Sequence, residues 1–237
     1  MYRVDRLFAG LLAAALVSSF ALATSPAQAA KPTAKSPAAA KSPGAIAAPA
    51  APAPGANAAA LDPTARTQEM IAAFKRVPLR SVNAPKATVD KAFADLDAFL
   101  DFDTLAQEPI RPHLAKLDPA QRAAYASKFR EVVRLVAYPD SGEFFRKAAV
   151  KLGAPKAGKG GTWVELETRL PEDGTDTRLG LLWRPVGGAL RIADLTFDGD
   201  SLVRDYQNQF GRILDKEGAA GLLKRLDDKK AELAKGK

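Results

Sequence analysis

The sequence predicts an α+β domain in which a four-stranded antiparallel sheet is covered by amphipathic helices. Apolar residues recur at helical spacing up to about residue 136, and they return to that spacing after residue 201. Between residues 164 and 192 they instead alternate at the two-residue period of strands. Because the helices are segregated along the chain from strands that short turns connect, we predict an antiparallel sheet.

Capping residues and prolines mark the first two predicted helices. Asp62 followed by Pro63 predicts a helix that begins at residue 63 and that Pro78 interrupts. Apolar spacing then predicts one helix over Thr88–Gln107, which the following prolines end.

Three further helices are predicted by their ends. Asp118 followed by Gln121 is a capping-box pattern, which predicts that a helix begins after Asp118. Gly218 is typical of a helix end and divides Ser201–Glu217 from Ala219–Leu233. The apolar face of the helix after the capping box holds Tyr125, Phe129, Val132, Val133 and Val136.

Four strands complete the predicted fold. A turn at residues 172–174 and the dipeptide Gly187-Gly188 separate the last three of them. The strands are expected over Phe144–Leu152, Val164–Leu170 and Leu179–Trp183, with a last strand that contains Leu190 and Ile192.

Residues 1–29 have the organisation of a secretory signal peptide. Arg3 and Arg6 precede an apolar run over residues 7–22, and Ala27-Gln28-Ala29 matches a small-x-small cleavage site. A retained membrane anchor is the alternative, but the run is shorter than the ~20 residues that span a bilayer. We therefore expect a removable signal and a mature protein that is soluble outside the cytoplasm.

Residues 30–60 are predicted to be a disordered linker. They are rich in Ala, Pro and Lys, so they bury too little apolar surface to offset the entropy of ordering. A tether that crosses a cell wall and a passive tail both fit this composition. Residues 61–237 are long enough for one domain with a core, and the absence of cysteine excludes disulfides and a lipidated N-terminus.

The charge of the folded part argues against nucleic-acid binding. The chain has a formal net charge of +8, of which the signal and linker regions carry half. Nucleic-acid binding requires a dense basic face with interleaved aromatic residues, whereas acidic residues are spread through the domain.

Gly199-Asp200-Ser201-Leu202 spells the signature of the GDSL lipases and esterases. A catalytic serine needs a general base within hydrogen-bond reach, and in that family the base follows the serine. Here the single histidine, His113, precedes it. We therefore interpret Asp200 or Ser201 as a helix cap and predict that the protein is not an enzyme.

A second motif, Gly153–Lys159, has the spacing of a phosphate-binding loop except at its last position. That position is Gly160, so the hydroxyl that holds Mg²⁺ is missing, and a strand pattern follows where a helix is required. We interpret the segment as a mobile hairpin connection, and a basic contact surface is the alternative.

The remaining ionisable residues predict no metal or cofactor site. His113 has no cysteine or second histidine to join it, so we interpret it as a partly buried histidine at a helix end or as a surface one. The acidic pairs Asp101/Asp103 and Asp227/Asp228 are interpreted as solvated helix faces.

Two blocks of packing and turn residues occur in a specific order. The first runs from Leu100-Asp101-Phe102 through Asp118–Arg122 to Phe129-Arg130. The second, over residues 179–226, contains Trp183-Arg184, Asp194, Gly199, Ser201-Leu202-Val203, Tyr206, Gln209-Phe210, Gly218 and Gly221-Leu222. Together they resemble the MlaC-type family of periplasmic phospholipid carriers, also called toluene-tolerance auxiliary proteins.

The resemblance implies a carrier that shuttles phospholipid between two membranes and has no catalytic group. Its partners would be an outer-membrane lipid-extracting complex and an inner-membrane ABC transporter with an MCE-domain subunit. We expect a monomer. The sequence departs from the family pattern at Arg111, Leu114, Leu190 and Asp200.

A carrier of this kind is predicted to hold acyl chains in an apolar cavity between the sheet and the helices. A closed core would use the same residues, so both interpretations remain open. The predicted sheet wall is Val164, Leu166, Leu179, Leu181, Trp183, Leu190 and Ile192, and the predicted helical wall is Val132, Val133, Val136, Phe210 and Ile213. Headgroup or partner contacts, or ordinary surface salt bridges, are expected of Arg184, Arg204 and Arg212.

Two other functions fit parts of the sequence. An interaction or adaptor domain with a closed core has the same periodicity and binds no ligand. A secreted esterase would require a base near Ser201, which the order of residues argues against.

Overall fold

The fold is described by a computed structural model over residues 61–172 and 174–235. The predicted signal peptide and linker lie outside these residues. None of the described helices combines the length and the apolarity that crossing a membrane requires. The elements are helices α1 (Pro63–Arg76), α2 (Lys86–Asp97), α3 (Phe102–Ile110), α4 (Pro119–Lys147) and α5 (Leu202–Lys235), a 3₁₀ helix (Arg111–Lys116), and strands β1 (Ala149–Leu152), β2 (Lys156–Gly158), β3 (Gly161–Arg169), β4 (Asp176–Val186), β5 (Ala189–Phe197) and β6 (Asp200–Ser201).

The antiparallel sheet confirms the predicted α+β class, although it has six strands where four were predicted. Its order is β1-β3-β4-β5-β6, and β2 also pairs with β3. Leu152 pairs with Leu166 and Lys156 pairs with Trp163, so β1 and β2 follow the same edge of β3. Pro155 lacks an N–H group and interrupts this edge strand. The two-residue β6 is the other addition.

The predicted single helix over Thr88–Gln107 is wrong, because the chain leaves the helical conformation between α2 and α3. The Asp101 N–H donates to the Ile192 carbonyl at 2.9 Å, and the Ile192 N–H donates to the Phe99 carbonyl at 2.8 Å. This short segment therefore pairs with the edge of β5. Asp101 then begins α3 by accepting a hydrogen bond from the Thr104 N–H at 3.2 Å.

The predicted strand over Phe144–Leu152 is wrong in its first half, where α4 continues through Pro139 to its end at residue 147. Proline cannot donate to the carbonyl four residues earlier, which belongs to Leu135. The Arg80 guanidinium supplies the missing donor, since its Nη2 lies 2.9 Å from the Leu135 carbonyl oxygen and its Nε lies 3.0 Å from Asp140 Oδ1. The helix is thus supported from the loop after α1.

Several predicted turns and caps are confirmed. The Gln121 N–H donates to Asp118 Oδ1 at 2.8 Å, and the Asp118 N–H donates to Gln121 Oε1 at 3.0 Å, which completes the capping box. Gly187 and Gly188 have φ of 60° and 82° and form the hairpin between β4 and β5. Gly218, with φ of 66°, breaks α5 at the predicted point.

Candidate functional site

The twelve residues predicted to line a lipid cavity lie together in one hydrophobic core. Each of them is at most 4% exposed. The seven sheet residues share the sheet face that meets the helices, which we call the inner face: Val164 pairs with Leu181 across β3 and β4, and Trp183 pairs with Ile192 across β4 and β5. The structure therefore brings the predicted residues together, and their contact with lipid stays a prediction.

Trp183 joins the inner face to helix α1. Its side chain is fully buried, and its Nε1–H donates to Thr67 Oγ1 at 3.0 Å. The Thr67 hydroxyl in turn donates to the Pro63 carbonyl at 2.7 Å. Sequence reasoning missed Thr67, although a threonine one turn before Met70 on the apolar stripe of a helix was a usable signal.

Four aromatic residues, which we call the aromatic cluster, join α4 to α5. Tyr206 stacks on Phe210 at a centroid distance of 5.2 Å, and Phe129 meets Phe210 edge-on at 6.3 Å. Tyr125 is the fourth member and lies 6.0 Å from Phe210. These geometries are the ones that aromatic pairs prefer, so they stabilise the helical layer beyond the burial of apolar area.

A small space lies in the core between these layers. Its volume is about 10 Å³, at the lower end of the ~10–15 Å³ that one water molecule needs. The layers are therefore closely packed here. The space is lined by Leu105, Phe129, Val133, Leu202, Val203 and Tyr206.

A larger groove of about 640 Å³ lies at the end of the sheet, over β1, β3 and β4. Its lining includes two ion pairs, Lys151–Glu167 at 3.1 Å and Arg169–Asp176 at 3.0 Å. Acyl chains gain free energy by contact with apolar walls, which these charges do not provide. The groove is therefore a poorer candidate for acyl chains than the apolar core.

Asp101 and Arg184 form an ion pair that sequence reasoning missed. Asp101 is 5% exposed, so its interpretation as part of a solvated helix face is wrong, because the pairing of its segment with β5 carries it beneath the surface. Burial alone would raise the pKa of Asp101, but hydrogen bonds from Thr104 and Arg184 outweigh burial and hold it below its usual value. Arg184 is thus engaged with Asp101 and Thr104, while Arg204 and Arg212 are exposed on α5.

Ser201 caps helix α5, as the sequence predicts. Its hydroxyl donates to Asp194 Oδ2 at 2.7 Å and accepts a hydrogen bond from the Arg204 N–H at 3.2 Å. Asp194 also accepts the Val203 N–H at 3.2 Å, so one carboxylate and one hydroxyl together accept two of the first N–H groups of the helix. His113 contacts Gly211 of α5. Gly211 is ten residues after Ser201, so the two residues lie roughly 15 Å apart along the helix axis.

Replacing Ser201 by alanine is expected to lower the free energy of unfolding by about 1 kcal/mol, because one helix cap is lost. Phospholipid content should stay unchanged. Urea denaturation and lipid extraction measure the two quantities, with Ser81→Ala in the exposed loop after α1 as the control. Loss of a measured esterase rate in Ser201→Ala, with lipid content retained, would contradict the cap assignment.

His113 lies on the 3₁₀ helix with 17% of its side chain exposed, as predicted for a partly buried histidine at a helix end. A Cβ added at Gly211 would lie 3.1 Å from its Nε2, so the glycine makes room for the ring. Its Nδ1 lies 3.5 Å from Asp215 Oδ1. The contact joins the 3₁₀ helix to α5.

The four departures from the family pattern occupy different environments. Leu190 is 4% exposed and belongs to the inner face. Leu114 is partly buried against the core. Arg111 pairs with Glu108 at the surface, and Asp200 is exposed in β6. Only the departure at Leu190 therefore changes a predicted cavity wall.

The phosphate-loop-like segment Gly153–Lys159 lies along the interrupted edge strand. Its residues 156–158 form β2, which pairs with β3 in a hairpin. The segment connects β1 to β3 as predicted, but residues 156–158 form a strand where only a connection was expected.

Comparisons with known proteins agree with this architecture. A phospholipid-binding protein from Ralstonia solanacearum, solved in complex with a phospholipid, superimposes with a TM-score of 0.57 and 21% sequence identity, over 76% of this chain and 99% of that one. No curated protein sequence matches the chain. The sequence model of the MlaC protein family matches residues 64–228, which include every predicted wall residue. The chain therefore belongs to the MlaC family.

Proposed function

We propose that this protein is a periplasmic phospholipid carrier. The observation that carries the proposal is the family match over residues 64–228. The shared fold of the Ralstonia solanacearum protein, which binds a phospholipid, supports it. In this proposal residues 1–29 are a signal peptide, residues 30–60 a linker, and residues 61–237 the lipid-binding domain.

The energetics of acyl chains explain why such a carrier needs an apolar interior. Burial of a methylene group contributes about 0.8 kcal/mol, so two chains of roughly sixteen carbons would cost ~25 kcal/mol to expose to water. The interior between the inner face and helices α4 and α5 has apolar walls throughout the predicted site. We propose that the acyl chains lie there, with the headgroup at the surface.

Uptake of lipid in this proposal requires the helical layer to move away from the inner face. The present space of about 10 Å³ is far smaller than the ~300–1,000 Å³ of typical ligand pockets. A partner that binds the open form more tightly would shift the population toward it. We propose that an outer-membrane lipid-extracting complex and an inner-membrane ABC transporter with an MCE-domain subunit are these partners, and that the carrier acts as a monomer without catalysis.

The proposal is tested by purifying the protein without detergent, extracting it with organic solvent and analysing the extract by mass spectrometry. Near one phospholipid per chain is expected. A protein that contains no phospholipid and takes none from vesicles would contradict the proposal.

The close packing of the core favours one second candidate, an adaptor domain that binds proteins and no lipid. Such a domain needs no cavity, and its stability would come from the same buried residues. The extraction experiment separates the two functions, because the adaptor is expected to yield a lipid-free extract.

Replacing Leu181 by tryptophan is expected to lower phospholipid occupancy at least fivefold, because the larger side chain would fill the space that acyl chains need. Because Leu181 is buried, the larger side chain is also expected to lower the free energy of unfolding by about 1–3 kcal/mol. Lipid per folded chain is measured by mass spectrometry. Leu182→Trp is the matched control, since Leu182 is the next residue on β4 and points to the opposite face. Equal occupancy in the two variants would show that this part of the inner face does not contact lipid.

A further inference from the structure

The Tyr125 hydroxyl is a buried polar group without a protein partner. Its oxygen is inaccessible to solvent and makes no hydrogen bond to any residue in 61–172 or 174–235. The Tyr138 hydroxyl on the same helix differs, since it donates to Asp97 Oδ1 at 2.7 Å. Buried hydroxyls are normally paired, because losing water without gaining a partner is costly. An acceptor from outside the described chain would satisfy Tyr125.

Tyr125 lies beside the interior space. Its ring stacks with Phe129 at 5.9 Å, and Phe129 and Tyr206 both line that space. The Tyr125 ring is therefore separated from that space by one aromatic neighbour, in the layer that would meet a ligand.

The chemistry of this position favours a neutral acceptor. Burial, with a further contribution from Tyr206, raises the pKa of Tyr125 well above its usual value, so the hydroxyl keeps its proton and can donate it. Its neighbours Phe129 and Phe210 are uncharged. A phosphate group would lose its hydration here without a compensating cation, whereas a carbonyl oxygen carries no net charge to desolvate.

We infer that the Tyr125 hydroxyl donates a hydrogen bond to an ester carbonyl oxygen of the bound phospholipid. This inference rests on the proposed function. The ester carbonyls lie between the acyl chains and the charged headgroup, so one bond at this point sets how deeply the chains enter. Tyr125 would then distinguish diacyl phospholipids from lipids that lack the carbonyl.

The test removes the hydrogen-bond acceptor from the lipid and, separately, the hydrogen-bond donor from the protein. Delipidated wild-type protein and Tyr125→Phe are each offered vesicles of dipalmitoyl phosphatidylglycerol or of its dialkyl ether analogue, and lipid per chain is measured by mass spectrometry over a range of lipid concentrations. The wild type is expected to bind the diester about fivefold more tightly than the diether, as one neutral hydrogen bond would give. In Tyr125→Phe this ratio is expected to fall to about one, with a melting temperature equal to or above that of the wild type.

Tyr138→Phe is the matched control on helix α4. It removes the hydrogen bond to Asp97, so the melting temperature should fall while the diester preference remains. A wild type that binds both lipids equally, or a Tyr125→Phe variant that keeps the wild-type ratio, would overturn the role of Tyr125 and leave the carrier function standing. A wild type that takes up neither lipid would overturn both.

Discussion

Replacing Trp183 by alanine is expected to lower the free energy of unfolding by about 4 kcal/mol, the upper part of the range for removing a buried aromatic side chain. The indole is completely buried at the centre of the inner face, so its removal leaves a cavity in a closely packed core. The Thr67 hydroxyl also loses the hydrogen bond that it accepts from Nε1–H at 3.0 Å. Urea denaturation followed by circular dichroism measures the loss.

Trp163→Ala is the control for this prediction, because Trp163 and Trp183 are the two tryptophans of the chain. Trp163 is half-buried on the opposite face of the sheet, where its ring approaches Gly180. Its removal is expected to cost about 1 kcal/mol, because solvent can fill the space that it leaves. If the two variants were equally destabilised, the core would not be centred on the inner face.

Elements with local signals could be predicted from the sequence. The capping box at Asp118 and Gln121 uses hydrogen bonds between residues three positions apart, so it appears in the sequence as a pair of residue types. The Gly187-Gly188 hairpin requires positive φ at both positions, which glycine permits. The alternation of apolar residues likewise predicted which side of β3 and β4 is buried.

Elements that depend on distant partners could not be predicted in this way. The break between α2 and α3 arises from hydrogen bonds to Ile192 in β5, which no local pattern near residue 100 encodes. Helix α4 passes through Pro139 because Arg80, from the loop after α1, donates to the carbonyl that the proline leaves free. The local rule that proline ends a helix is overridden by a tertiary contact in this case.

The candidate site likewise has features that local sequence patterns predict and features that depend on distant partners. Apolar periodicity placed all twelve wall residues in the core, because a two-residue or 3.6-residue period is enough to identify a buried face. It could not distinguish a lipid cavity from a closed core, since both bury the same residue types. Polar contacts inside the layers, such as Trp183 with Thr67, depend on the relative placement of a helix and a strand and appear only in three dimensions.

The buried pair of Asp101 and Arg184 leads to the second large effect, which depends on pH. Replacing Asp101 by asparagine is expected to lower the free energy of unfolding by about 2 kcal/mol at pH 7, because charge-assisted hydrogen bonds from Arg184 and Thr104 are weakened. Asparagine remains a good helix cap. The substitution therefore isolates the effect of the charge from that of the cap.

The sign of the pH dependence follows from the lowered pKa of Asp101 in the folded protein. A carboxylate with a depressed pKa stabilises the fold fully above the unfolded-state pKa of about 3.9, and this stabilisation is lost as the pH falls through the lower folded-state pKa. The difference between wild type and Asp101→Asn should therefore shrink in urea titrations as the pH falls through and below about 3.9. Asp103→Asn, at an exposed position in the same helical turn, should change stability by less than about 0.5 kcal/mol. A difference between wild type and Asp101→Asn that stays constant down to the lowest pH would mean that packing, rather than the carboxylate charge, is what Asp101 contributes.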